Sequence, residues 1–190
     1  WQDVPALMAT LTAHDSHAAV ATRLMILTGA RAQMIRLASW DEFDLDVGVW
    51  SLPAERMKMR EAFEIPLAPP VVSMLKELPH IEGSSFLFPG QGKTGAIHAN
   101  AIRTLLHGLG HTDITRHGFR SSFRDWANER THYPREVCEL ALAHDERDQT
   151  EAAYSRSDFL EKRRALMAEW ADFITTRSAT NIIQGDFKRA

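Results

Sequence analysis

Apolar positions recur along this chain at two spacings, and the switch between them marks out its elements. Val4, Leu7, Met8 and Leu11 follow the three- and four-residue spacing of one helix face. Asp3-Val4-Pro5 ahead of them reads as a helix start, with an acid at the cap and a proline in the first turn. A second helix starts near Asp15 or Ser16 and carries Val20, Leu24 and Leu27 to Gly29. Over residues 43–67 the period changes to two. FDLDVGVWSLP alternates apolar with polar and FEIPL does so again, which predicts a small antiparallel sheet. Helical spacing resumes over 71–75, 99–109, 117–129, 135–143 and 159–175. The chain is therefore read as mainly α with a small antiparallel β-sheet, one domain over 1–178 and a loosely tethered tail over 179–190.

Composition narrows the class without choosing a function. A chain of 190 residues can bury a sizeable core. Its 44% hydrophobic and 25% charged residues are those of an ordinary globular protein. No apolar run approaches the roughly 20 residues of a membrane span, and no signal peptide opens the chain. A single cysteine, Cys138, rules out an internal disulfide framework and suits a reducing cytoplasm. Because the chain opens on Trp1, it is expected to be a piece of a longer protein.

The net charge of −3 argues against a broadly basic face for nucleic acid. Charge is unevenly spread, however. Residues 116–130 hold four arginines against Asp125 and Glu129, and Arg156, Lys162, Arg163 and Arg164 stand against Asp158 and Glu161, each a local balance of +2. Residues 139–151 lie at −4. Any polyanion site is expected to be a local pocket.

The sharpest geometry lies in RHGFRSSFRDWANE. At about 100° per residue, His117, Arg120 and Arg124 share one narrow sector of a helix, and Phe119, Phe123 and Trp126 share the opposite one. The apolar sector is a core anchor. The cationic sector is either a solvated basic face or a site in which a titratable group and a bidentate phosphate binder point the same way. Arg31, two residues after Gly29 in an apolar neighbourhood, needs an anionic partner, supplied by a salt bridge or by a ligand. Lys58 falls near a turn of the sheet, where an exposed lysine is ordinary.

Two other patterns are set aside. GQGKTG at 90–95 lacks the earlier glycine of a phosphate-binding loop, since position 87 is Leu87, and it is read as a plain loop. His107 and His111 enclose Gly-Leu-Gly, and neither they nor Cys138 show metal-ligand spacing, so neither metal nor cofactor is expected.

Taken in order, these residues resemble the catalytic domain of tyrosine recombinases, and within them prophage integrases of the P4-like type. The resemblance runs over about residues 4–174. TGAR places Arg31 in the family's first arginine box, and Lys58, upstream of EIPL, matches the β-hairpin lysine. HGFR gives His117 and Arg120, LAH gives His144, and AAY gives Tyr154 as nucleophile. SRSDFLEKRRALMAEWADFI looks like the P4-like signature after the tyrosine.

The resemblance implies the DNA breaking-rejoining fold and a 3′-phosphotyrosyl intermediate formed on double-stranded attachment sites, with no metal and no ATP. It also implies further DNA contacts from Arg116, Arg124 and Arg156, and upstream arm-binding and core-binding domains outside this chain. A homo-tetramer on DNA follows, with the C-terminal tail docked on a neighbouring subunit, alongside accessory DNA-bending proteins and a place at the bacterial nucleoid.

One departure stands out. Where the family carries an acid three positions after the first arginine, this chain has Met34, so Arg31 is either less firmly oriented or held by another carboxylate. The competing readings are a type IB topoisomerase-like enzyme, a catalytically silent DNA-binding module derived from an integrase, and a helical protein unrelated to DNA.

Overall fold

Ser16 caps the most deeply buried helix of the N-terminal half, its Oγ accepting the Ala19 amide at 3.2 Å. In the computed structural model, which describes residues 1–57, 60–143 and 159–180, that helix is α2, His17–Thr28. Leu24, Met25, Ile26 and Leu27 are all at most 2% exposed, so this turn of α2 is buried on every side and forms the centre of the core. It ends where Gly29 turns left-handed, at φ +63°. Helix α1, Val4–Thr12, buries its predicted stripe of Val4, Leu7, Met8 and Leu11. Asp3 occupies its cap position but makes no side-chain cap bond, leaving the first turn to Pro5.

The final helix, Leu160–Thr180 and here α8, closes the core. Leu166, Met167, Trp170, Ala171 and Ile174 are buried, whereas Leu160 is only partly covered. Trp170 meets Phe123, Trp126 and Phe173 at ring separations of 5.7, 5.0 and 5.8 Å, an aromatic cluster that joins α8 to helix α6, Gly118–Arg130. Tyr133, just past α6, donates to Glu169 Oε1 of α8 at 2.7 Å. Partial burial, then that hydrogen bond and the carboxylate's charge, push its hydroxyl up to about 12.

The predicted sheet is three-stranded and antiparallel, in the order β1 (Phe43–Asp44), β2 (Val49–Leu52), β3 (Phe63–Pro66). Trp50 pairs with both Phe43 and Ile65 and is fully buried, and its indole N–H reaches Glu42 Oε2 at 2.9 Å. Two arginines of α8 grip this sheet. Arg163, fully buried, donates to the Glu64 carbonyl at 2.6 Å and lies 4.8 Å over the Phe63 ring. Arg164 donates to the Gly48 carbonyl at 3.0 Å in the β1–β2 turn.

The remaining described helices are α3 (Ala32–Arg36), α4 (Pro69–Lys76), α5 (Ala101–Gly108) and α7 (Arg135–Ala141). Helix α7 stops two residues before the expected end, and α8 runs to Thr180, beyond the expected helix end at 175. Residues 90–95 form a turn closed by Gly90 N–H to Gly95 O at 2.9 Å, with no helix following directly, so that stretch is indeed a loop.

Candidate functional site

Two helices end at the same place, and their terminal carbonyls decide where the arginines go. The last carbonyls of a helix lack intrahelical donors and carry the negative end of its dipole. Here guanidinium groups supply the donors. Arg120, one turn into α6, donates through Nη1 to the carbonyl of Gly29 beyond α2, and through Nη2 to that of Leu142 beyond α7 at 2.6 Å. Arg31, which opens α3, donates through Nη2 to Ala143 at 3.2 Å. Ala143 itself sits at φ +51°, a left-handed conformation that costs a non-glycine residue roughly 1–3 kcal/mol. The strain turns its carbonyl back toward Arg31.

These arginines line a cleft of about 720 Å³ with Gln33, Arg36, Thr115, Arg116 and His117. Arg120 is 4% exposed, Arg31 is half-buried, and His117 and Arg116 are open to solvent. His117 stands immediately before α6, where Thr115 Oγ1 accepts the Gly118 amide at 3.0 Å. Arg116 is steadied by the Ala99 carbonyl at 2.9 Å. Burial, then the neighbouring Arg31 charge, lowers the Arg120 guanidinium to about 10, with Glu139 acting in the opposite direction. It stays a cation at neutral pH. The cleft therefore presents positive charge already fixed by backbone carbonyls, which suits an oxyanion such as a phosphate diester.

The structure thus brings Arg31, Arg116, His117 and Arg120 to one cleft. In the cationic sector of α6 only Arg120 is buried; His117 opens to the cleft, and Arg124, partly exposed, pairs with α7. Arg124 Nη2 lies 2.6 Å from Glu139 Oε1 of α7, a carboxylate that is itself buried. Lys58, His144, Tyr154 and Arg156 lie outside the described residues. At the position of the missing acid, the Met34 sulfur accepts the Arg31 amide at 3.4 Å and the Met34 carbonyl accepts Arg56 Nη2 at 2.7 Å. Arg56 in turn ion-pairs with Glu42, so the neighbourhood is organised without an acid at 34.

Sequence reasoning passed over Arg36 and Glu139. Arg36 lines the cleft and donates to Thr94 Oγ1 at 3.2 Å. Its signal was a basic residue closing the short helix that Arg31 opens. For Glu139 the signal was an acid enclosed by apolar residues in VCELAL.

Comparison with known proteins places this arrangement. The integrase of Enterobacteria phage P4 is 33% identical over 190 residues, covering 90% of this chain and 43% of that protein. Prophage integrase IntA of Escherichia coli (strain K12) is 32% identical over 188 residues, covering 95% of this chain and 45% of that one. The chain thus spans less than half the length of these relatives. Among solved structures, the integrase from mycobacterium phage Brujita superposes with a TM-score of 0.62 at 17% identity, over 88% of this chain and 56% of that one, and so shares the fold. The profile described as "Phage integrase family" matches residues 2–161, and the chain belongs to that family.

Proposed function

We propose that this chain is the catalytic domain of a site-specific recombinase that cleaves and rejoins DNA through a 3′-phosphotyrosyl intermediate. The observation that carries the reading is the convergence of Arg31, His117 and Arg120 on one cleft, fixed by carbonyls that end two helices. Membership of the integrase family supports it.

The chemistry assigns a role to each group. A free tyrosine hydroxyl titrates near 10, so about one in a thousand is ionised at neutral pH and the attack needs a proton acceptor. Tyr154 Oη bonds to the scissile phosphorus as its proton passes to His117. The bond from phosphorus to the 5′-oxygen breaks, and that oxygen takes a proton from Lys58 and leaves as a hydroxyl. Arg31 and Arg120 hold the two non-bridging oxygens, and His144 adds a hydrogen bond. One phosphoester replaces another, so the 5′-hydroxyl of a second strand can reverse the steps without ATP. Arg116 and Arg156 meet flanking phosphates.

In the whole protein this domain works with upstream DNA-binding domains, as a homo-tetramer on duplex attachment sites with DNA-bending accessory proteins, in the bacterial cytoplasm at the nucleoid. The unit extends over 1–178, and residues 179–190 reach a neighbouring subunit. It integrates or excises a prophage or genomic island. Among the described residues no helix is long and apolar enough to cross a membrane.

The test is a nicked suicide substrate carrying the core site, incubated with the full-length protein and resolved on denaturing gels. A covalent adduct mapped to Tyr154, and lost in a folded Tyr154→Phe variant, is the expected result. An adduct surviving in Tyr154→Phe overturns the nucleophile assignment. A second reading, a catalytically silent DNA-binding module, is favoured by Met34 in place of an acid. It predicts a mobility shift with no adduct on a verified site.

A further inference from the structure

Two guanidinium groups converge in the cleft, and one of them, Arg120, is almost wholly removed from water. Like charges brought together under burial repel each other, so a carboxylate close by helps hold Arg120 in place before any phosphate arrives. The residue at the family's usual acidic position is Met34, which carries no charge. Glu139 is the acid that acts on Arg120, and it comes from a different helix.

Glu139 is 3% exposed. It lies three residues before Leu142, so one turn of α7 supplies both the carbonyl that accepts Arg120 Nη2 and the carboxylate behind it. On α6, Arg124 sits one turn beyond Arg120 on the same face and approaches Glu139 Oε1 at 2.6 Å. Arg120, Glu139 and Arg124 therefore alternate in charge, with Arg124 the most exposed of the three. A lone buried carboxylate is costly, and Arg124 offsets that cost.

We propose that Glu139 is a positioning residue for Arg120, supplying from α7 a carboxylate to the cleft arginines of a chain that has none at position 34. Arg124 is then its counter-ion and not a phosphate contact. This rests on the recombinase reading above. Glu139 touches neither DNA nor the reacting atoms; it acts by keeping Arg120 aimed at the cleft.

The experiment measures covalent adduct formation by the full-length protein at saturating suicide substrate, with DNA affinity and thermal melting recorded in parallel. Three variants are compared: Glu139→Gln, Glu139→Asp, and the double variant Glu139→Leu with Arg124→Met. The double variant replaces the ion pair by apolar side chains, an exchange buried pairs often tolerate without loss of stability. The neutral Glu139→Gln and the double variant are expected to slow adduct formation by roughly 10- to 100-fold, with DNA affinity within about twofold of the parent. Glu139→Asp, which keeps the charge, is expected to recover part of the rate.

A double variant that melts and cleaves like the parent overturns the proposal. So does failure of every variant to fold, which assigns Glu139 to the fold alone. A parent protein that forms no adduct on a verified site overturns the recombinase reading, and with it this role.

Discussion

The indole N–H of Trp170 donates to the carbonyl of Ile26 at 2.9 Å, tying the last helix to the final turn of the most buried one across 144 positions of sequence. The ring is fully buried among Phe123, Trp126 and Phe173, so the bond is sealed from water. Trp170→Phe keeps much of the packing but removes the donor and leaves a gap. It is expected to lower unfolding stability by about 1–3 kcal/mol, read from urea denaturation.

Arg120 bridges two helix ends, which sets an expectation for a charge-preserving change. Arg120→Lys keeps a cation but loses the planar fork that reaches both carbonyls. Adduct formation on the suicide substrate is expected to fall about 10²–10³-fold, the usual loss when one preorganised donor is removed. Stability falls by about 1–3 kcal/mol as a buried carbonyl loses its partner. Single-turnover rates and melting curves on the same preparation separate the two effects.

Gly29 is the hinge of that bridge. At φ +63° it occupies backbone space that L side chains rarely adopt, and a Cβ there would lie 2.9 Å from Leu142 Cδ2. Gly29→Ala is expected to cost about 1–2 kcal/mol. Leu142, whose carbonyl accepts Arg120, must shift to make room, so cleavage should fall further than affinity for DNA. Equal losses in both would show that the hinge matters only to the fold.

Tyr133 gives the fold an alkaline limit. Its folded-state value of about 12 lies above the 10.0 of an unperturbed tyrosine, so the folded chain holds this proton more tightly than the unfolded one. The associated stability is fully present below about pH 10 and disappears as pH rises from about 10 to 12. Tyr133→Phe should therefore be less stable than the parent at about pH 8, and the gap should close at about pH 12. A urea midpoint series across that range checks it.

Periodicity made most of this architecture readable. The stripe of α1, the aromatic sector of α6 and the alternation around Trp50 each place their side chains by spacing alone, because one face of each element must leave water. Helix α3 has only five residues, too few for a period to show. Arg31, His117 and Arg120 were visible as residues, but what holds them was not. The acceptors are carbonyls of Gly29, Leu142 and Ala143, which any sequence supplies and only the fold can direct. Arg124 illustrates the limit. Its place on the helix was legible, whereas its partner Glu139 comes from another element, so the ion pair was not.

Arg163 and Arg164 also determine what the sheet cannot do. A sheet of three short strands has two edges, and exposed edges invite strands from other chains. At β3 the Glu64 carbonyl is already taken by Arg163, under cover of α8, and β1 is only two residues long. An incoming strand would find the Glu64 acceptor already engaged on one side and only a two-residue strand on the other, so the helix that closes the core also reduces what the sheet exposes to other copies.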